Sequence, residues 1–246
     1  MDAPSSLTII VPVYNEAATC GEAIRRLMEV EPPRLGDGTA LRRNVVAVDD
    51  GSTDGSGAIL LSLAGVYADL RVLKHPRNMG KGAAVRTGLE HATGDLVLIH
   101  DADLEYDPRD HAAVLLPLLE GRADAVIGSR FRGGTAHRVL YYWHSVANGV
   151  LTHVSNALTN LNLSDIECCT KAFTREVAAA LSIEEDRFGV EPEIVAKLAR
   201  LEREGGPLRI YEVPVSYAGR TYAQGKKITW RDGVRALWCI VRYRFV

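Results

Sequence analysis

The segment HDADLEYDP places Asp101, Asp103 and Glu105 at alternating positions directly after an apolar run. Three carboxylates this close repel one another unless water or a cation lies between them. Oxygen-only ligation of this kind suits Mg²⁺ or Mn²⁺, which keep several waters and bridge to a substrate diphosphate. The alternative is a solvated acidic turn capping a helix that starts after Pro108. Two more polar clusters end apolar runs: VPVYNE carries Pro12, Tyr14, Asn15 and Glu16, and VDDGSTDG carries Asp49 and Asp50. Adjacent carboxylates before a Gly-Ser turn can accept hydrogen bonds from a base or ribose, and Tyr14 can lie against a base. The plainer reading makes 49–54 a turn and helix cap, and Asp54 is assigned that role.

NMGKGAAVRTG looks like a phosphate loop but lacks the G-x-x-x-x-G-K-[ST] spacing, and no G-x-G-x-x-G opens the first helix. Kinase-like P-loop and dehydrogenase readings therefore lose their main support. A sugar nucleotidyltransferase would carry a Gly-rich loop where VPVYNE stands. In RFGVEPEI, Glu191 and Glu193 are the candidate general bases for a hydroxyl nucleophile, and equally candidate contacts to metal or sugar. An ionised phosphate nucleophile would need no such base.

These residues need a scaffold, and the first half of the chain supplies one. Short β-branched runs predict strands over 7–13, 44–49, 70–74, 95–101 and 123–127, alternating with helical patterns that begin near Ala17, Ser56, Gly82 and Arg109. That alternation is the sequence form of an α/β, doubly wound, mostly parallel sheet with helices on both faces, which binds ligands at the carboxyl ends of its strands. In the second half, apolar residues at spacings of three and four predict a long helix over 140–158. A strand over 170–173, a helix over 192–203 and a strand over 208–215 follow. The segment 216–228 reads as a mobile basic loop. The whole is expected to be one domain, with a nucleotide-binding lobe over 1–132 and an acceptor lobe over 133–246.

The 246 residues carry a formal net charge of −2 with 47% hydrophobic residues, which excludes disordered and collagenous classes and gives no sign of nucleic-acid affinity. The longest apolar run, 236–241, is far below the roughly 20 residues that span a bilayer. The N-terminal residues lack a basic region and cleavage site, which predicts a cytoplasmic protein. With no C-x-x-C pair, Cys20, Cys168, Cys169 and Cys239 read as reduced thiols. The C-terminal stretch holds six basic residues against one acidic. At about 100° per residue, Lys227, Arg231, Arg235 and Arg242 gather beside Trp230, Val234, Leu237, Trp238 and Val241. Such a helix either lies in the interface of a membrane, peripherally on its cytoplasmic face, or packs on its own domain with solvated arginines.

Taken in order, VPVYNE, VDDGSTDG, NMGKGAAVRTG, DADLEYDP, GSRF and RTYAQGK resemble the family 2 glycosyltransferases of GT-A fold, within them the dolichol-phosphate and polyprenol-phosphate mannosyltransferases. The resemblance implies an inverting enzyme that moves a sugar, commonly mannose from GDP-mannose, to a lipid phosphate with Mg²⁺ or Mn²⁺. By the same resemblance Pro12, Tyr14, Glu16, Val48 and Asp50 hold the nucleoside. Asp101, Ala102 and Asp103 hold metal and diphosphate, with Glu105 beside them where several members carry glutamine. Arg130 contacts the donor, while Arg220 and Lys226 close over the diphosphate. Arg132, Arg138 and Ser145 are the candidates for the acceptor phosphate, although Tyr141 stands where some members place an arginine. The competing reading is a metal-dependent transferase that uses a UDP-sugar and glycosylates a hydroxyl of a soluble sugar, polysaccharide or natural product.

Overall fold

The computed structural model describes residues 4–35, 38–133, 138–139, 141–221 and 230–245. Its centre is β1 (Ser6–Val13), whose SLTIIVPV sequence is buried on both faces, flanked by the parallel strands β2 (Arg42–Asp49) and β4 (Leu96–Ile99). Continuous β-branched runs are what a strand covered by helices on each side requires. β3 (Leu70–Lys74) extends the sheet beyond β2. On the other side come β6 (Lys171–Thr174), β5 (Ala125–Ser129) and β9 (Ile210–Pro214), in the order β3-β2-β1-β4-β6-β5-β9. β6 alone runs antiparallel to its neighbours. One sheet therefore joins both predicted lobes.

The helices are α1 (Cys20–Glu29), α2 (Ser56–Ala64), α3 (Lys81–Glu90), α4 (His111–Leu119), α5 (Tyr142–Thr159), α6 (Arg175–Ala180), α7 (Val190–Leu198) and α8 (Trp230–Phe245). Pro108 opens a short 3₁₀ turn ahead of α4, and Asp107 accepts the Arg109 amide there. A small hairpin joins β7 (Glu202–Arg203) to β8 (Gly206–Pro207), and β7 occupies positions expected to be helical, because α7 ends at Leu198. α8 packs on α5 and α7 through Ala236, Cys239, Ile240 and Tyr243.

Chain direction determines where chemistry collects. β1 leads away to β2 on one side, while its other neighbour, β4, is reached later, so the loops after these strands diverge and leave a crevice at their carboxyl ends. Because β6 is antiparallel, with Lys171 opposite Ile99, the loop entering β6 lies at the same edge as the loop leaving β4. Gly80 and Gly82 press α3 onto the 185–186 backbone: a Cβ on either would stand about 2 Å from a carbonyl oxygen, and Gly80 also has φ +107°. Close approach of backbone to backbone is the use these glycines have in this fold.

Candidate active site

The crevice is a cleft of about 1120 Å³, larger than a single small ligand needs. Its floor is acidic. β1 delivers Tyr14 and Glu16, β2 delivers Asp50, and β4 delivers Asp101, Ala102, Asp103 and Glu105. The DADLE turn is held by Leu104 in the left-handed region, φ +63°, while the Glu105 amide donates to Asp103 at 3.1 Å. A non-glycine residue in that conformation is costly, and here it folds the carboxylates back toward one another.

Arg220 sits among them. Its guanidinium makes a forked pair with Glu16 at 2.9 and 3.2 Å, reaches Asp103 at 3.1 Å, and lies 3.4 Å from Glu105, which also accepts the Arg220 amide. The preceding residues are pinned as well: Ser216 to Asp110, Ala218 to the Glu105 carbonyl, and the Gly219 carbonyl to Arg138. Within the segment expected to be a mobile basic loop, Arg220 thus has carboxylate partners in this structure. Residues 222–229, Lys226 and Lys227 among them, lie outside the described residues.

Lys81 is the second cation on the floor, 2.8 Å from Asp101 and 2.7 Å from Glu191. Burial opposes its charge, yet Asp101, the Cys169 thiol and Glu191 hold its pKa well above the ordinary lysine value. The Asp103 pKa is also raised, to about 7, by burial and then by Asp101 and Glu105, with Arg220 pulling against them. Among the described residues no three His, Cys, Asp or Glu side chains converge as a ready-made metal site. Glu16, Asp103 and Glu105 surround a guanidinium instead, and a cation in that position shows what the donor set favours. All-oxygen donors with surplus negative charge fit Mg²⁺ or Mn²⁺.

The other expected residues divide. Pro12, Arg130, Arg138, Ser145 and Glu191 line the cleft with those already named. Asp50 borders it with its carboxylate engaged, accepting the Met79 and Gly80 amides at 2.8 and 2.7 Å and lying 2.7 Å from His75 Nδ1. Arg130 is clamped by Asp165 at 2.7 and 2.8 Å and lies over the Tyr217 ring. Three other expected residues have different surroundings. Val48 is fully buried in β2 against Val46, Ala84 and Leu73, and it is not among the residues that line the cleft. Arg132 turns to Glu212 at 2.7 Å. Glu193 accepts the Glu184 and Glu185 amides at 2.7 and 2.8 Å and pairs with Lys197, which ties α7 to the preceding loop and leaves no base there. Asp54 meets the expectation of a turn residue, accepting the Ser56 amide at the start of α2.

Sequence reasoning missed Lys81 and the loop before β6, which brings Asp165, Glu167 and Cys169 to the site. Its signal was a set of acidic and thiol residues just ahead of a short apolar strand. The α8 expectation is also revised. Arg235 pairs with the buried Glu185 at 2.8 Å and stacks on Trp238, and Arg242 reaches Glu184. These two arginines bind the helix to its own domain, while Trp230, Val234, Leu237 and Val241 remain exposed. Trp230 and Trp143, each 76% exposed, stand at the mouth of the cleft with Val139 and Tyr142.

The sequence profile of glycosyl transferase family 2 matches residues 8–181, from β1 through α6. The chain belongs to this family. Among curated relatives it is 32% identical over 204 residues to the glycosyltransferase AglJ of Haloferax volcanii, covering 81% of this chain and 60% of that one. It is 28% identical to the dolichyl-phosphate β-glucosyltransferase ALG5D of Trichomonas vaginalis, covering 86% and 65%. A third relative, 27% identical and covering 89% and 62%, is the undecaprenyl-phosphate 4-deoxy-4-formamido-L-arabinose transferase of Aeromonas hydrophila. The chain spans 60 to 65% of the length of these relatives. The fold matches glucosyl-3-phosphoglycerate synthase of Mycobacterium tuberculosis, crystallised with Mn²⁺ and UDP-glucose. The TM-score is 0.70 at 19% identity, covering 98% of this chain and 80% of that one. The GT-A architecture expected from the motifs is therefore present.

Proposed function

We propose that this chain transfers a sugar from a nucleotide sugar to a polyprenyl or dolichyl phosphate, with inversion at the anomeric carbon. The observation that carries the reading is the polarity of the cleft, which runs from an acidic floor bearing two cations to a mouth of exposed aromatic and aliphatic side chains. A nucleoside diphosphate suits the first end and an isoprenoid chain the second. The relatives named for dolichyl-phosphate and undecaprenyl-phosphate acceptors support this choice of acceptor.

Pro12 and Tyr14 would flank the base, with Asp50 ordering the 78–80 loop beside it. Asp103, with Glu105 and Glu16, would hold Mg²⁺ or Mn²⁺, and Asp101 would take part through the oxygen that Lys81 leaves free. The bound cation would neutralise the diphosphate as it departs. Arg220 must then exchange its carboxylates for phosphate oxygens, and Lys226 is assigned the same partner by resemblance. Arg130 stays fixed by Asp165 as a positive charge facing the donor. Arg138 and Ser145 are the acceptor-phosphate candidates that remain at the cleft. The division into a donor lobe, 1–132, and an acceptor lobe, 133–246, follows these assignments.

An ionised phosphate acceptor needs no strong base. The acceptor side agrees: Glu193 is engaged by backbone, Glu191 is paired with Lys81, and burial followed by Glu191 pushes Glu167 up to about 8, so that it carries a proton at neutral pH. The glucosyl relative and the UDP-bound neighbours make UDP-glucose the first donor to try, with GDP-mannose, the donor suggested by the motifs, the second. Among the described residues no helix is long and apolar enough to cross a membrane. Membrane contact is assigned to the cleft mouth, where Tyr142, Trp143 and Trp230 would enter the interface of the cytoplasmic leaflet with Arg231 beside them. The test is competition: polyprenyl phosphate and a soluble sugar acceptor offered together with each donor. Preference for the lipid phosphate supports the proposal, and preference for the hydroxyl moves the chain to the competing class.

A further inference from the structure

We infer that Glu167 determines sugar specificity: its carboxyl, with the unpaired oxygen of Glu191, reads the hydroxyl groups of the sugar being transferred. This rests on the nucleotide-sugar reading of the cleft and names a residue that neither motif nor spacing pointed to.

The loop carrying Glu167 is fixed on both sides. Upstream, Asp165 clamps Arg130 and accepts the Glu167 amide at 3.2 Å, while Glu212 accepts the Ser164 and Asp165 amides. Downstream, the wholly buried Lys171 donates to the Ile166 and Cys168 carbonyls, and the Tyr106 hydroxyl accepts the Cys169 amide. The backbone around Glu167 therefore has no slack with which to swing the side chain elsewhere.

The side chain lines the cleft, yet its Oε1 is shut off from solvent and meets no hydrogen-bond partner among the described residues. Glu191 Oε2 is in the same condition on a residue that lines the same cleft, and the Glu191 carboxylate is close enough to raise the Glu167 pKa. Folded proteins satisfy nearly all buried polar atoms, so two unsatisfied oxygens on residues that line one cleft point to a ligand that brings the partners. A diphosphate is the wrong ligand, since carboxylates repel it. An isoprenoid chain is wrong as well, having nothing to donate. A pyranose fits, because each hydroxyl both donates and accepts. The position agrees, with Glu191 joined through Lys81 to Asp101, next to the diphosphate end of the site. Burial keeps Glu167 neutral, with a pKa of about 8, so it offers one O–H and one acceptor oxygen rather than a second charge beside Glu191.

The test is calorimetric titration of the full chain, with Mn²⁺ present, by UDP-glucose, UDP-galactose and GDP-mannose, and by UDP and GDP as sugar-free controls. Glu167→Leu should reduce affinity for the preferred nucleotide sugar about tenfold or more and narrow the discrimination between sugars. Its affinity for UDP and GDP should stay within about twofold of wild type. Glu167→Gln, an uncharged isostere, should restore binding to within about threefold. Unchanged sugar discrimination in Glu167→Leu overturns the inference, and so does a parallel loss of UDP or GDP affinity, which would mark a packing role. If the wild type glycosylates a lipid phosphate while Glu167→Leu binds every sugar normally, this inference fails alone. A wild type without affinity for any nucleotide sugar overturns the underlying reading and this inference with it.

Discussion

Replacing Arg220 by alanine removes a cation that, among the described residues, Glu16, Asp103 and Glu105 share. The arginine side chain is 17% exposed and its partners 11, 15 and 12%, so the loss occurs in a region water only partly reaches. Breaking a buried pair costs about 3–5 kcal/mol. Two features reduce that here to about 2–3 kcal/mol: the residual exposure, and the ability of Asp103, already pushed to about 7, to take up a proton instead. For a chain of this size each kcal/mol moves Tm by about 2–4 °C, so metal-free Arg220→Ala should melt about 4–12 °C below wild type. Millimolar Mn²⁺, proposed to bind the same carboxylates, should recover at least half of that deficit. Thermal unfolding followed by circular dichroism, in chelator and in Mn²⁺, reads both numbers. Equal melting of variant and wild type in chelator would refute the reasoning. So would a deficit that Mn²⁺ leaves untouched, since the guanidinium would then not occupy the place of a cation.

Asp103→Asn should lower turnover about 10²-fold or more while leaving Tm unchanged or slightly raised, because it relieves a carboxylate that its neighbours already disfavour; full activity of the wild type in excess chelator would contradict the metal assignment. Burial depresses His100 from 6.5 to about 4, so between these values the unfolded chain binds a proton that the native chain refuses. Stability present above pH 6.5 should therefore fall toward pH 4 by about 3 kcal/mol, measured by urea unfolding at several pH values, and His100→Asn should flatten that slope. Anionic vesicles should bind the chain through its cleft mouth, with Arg231→Ser weakening binding about fivefold and the pair Trp143→Ala, Trp230→Ala weakening it further. Arg235→Ser should instead lower stability, because its partner Glu185 is buried; equal vesicle binding by all variants in a sedimentation assay would dismiss the surface.

The sheet was legible where residues are buried on both faces, because continuous β-branched runs admit few other readings: β1, β2 and β4 lie within a residue or two of their expected bounds, and the edge strand β3 matches its own. The polar clusters after these strands were legible for the same reason, since a parallel sheet gathers strand ends at one edge. What failed depended on direction and rotation. Nothing in Lys171–Thr174 announces that β6 runs antiparallel, yet that reversal is what carries Asp165 and Glu167 to the floor. Glu191 and Glu193 were given one role, although residues two apart on a helix point about 200° apart, so only one could face the cleft. Arg235 was placed on a basic face that Glu185, far away in sequence, turns into a contact. Lys81 was overlooked because NMGKG was weighed only as a phosphate loop, while its glycines serve to bring α3 against the 185–186 backbone.

The most direct test of the central claim is mass analysis of the organic extract after incubating the chain with UDP-glucose or GDP-mannose, Mn²⁺ and a polyprenyl phosphate. The account predicts a lipid heavier by one hexose, joined through an acid-labile phosphodiester of inverted anomeric configuration, and none when chelator replaces Mn²⁺. Release of UDP or GDP with an unmodified lipid, alongside glycosylation of an added sugar hydroxyl, would contradict it.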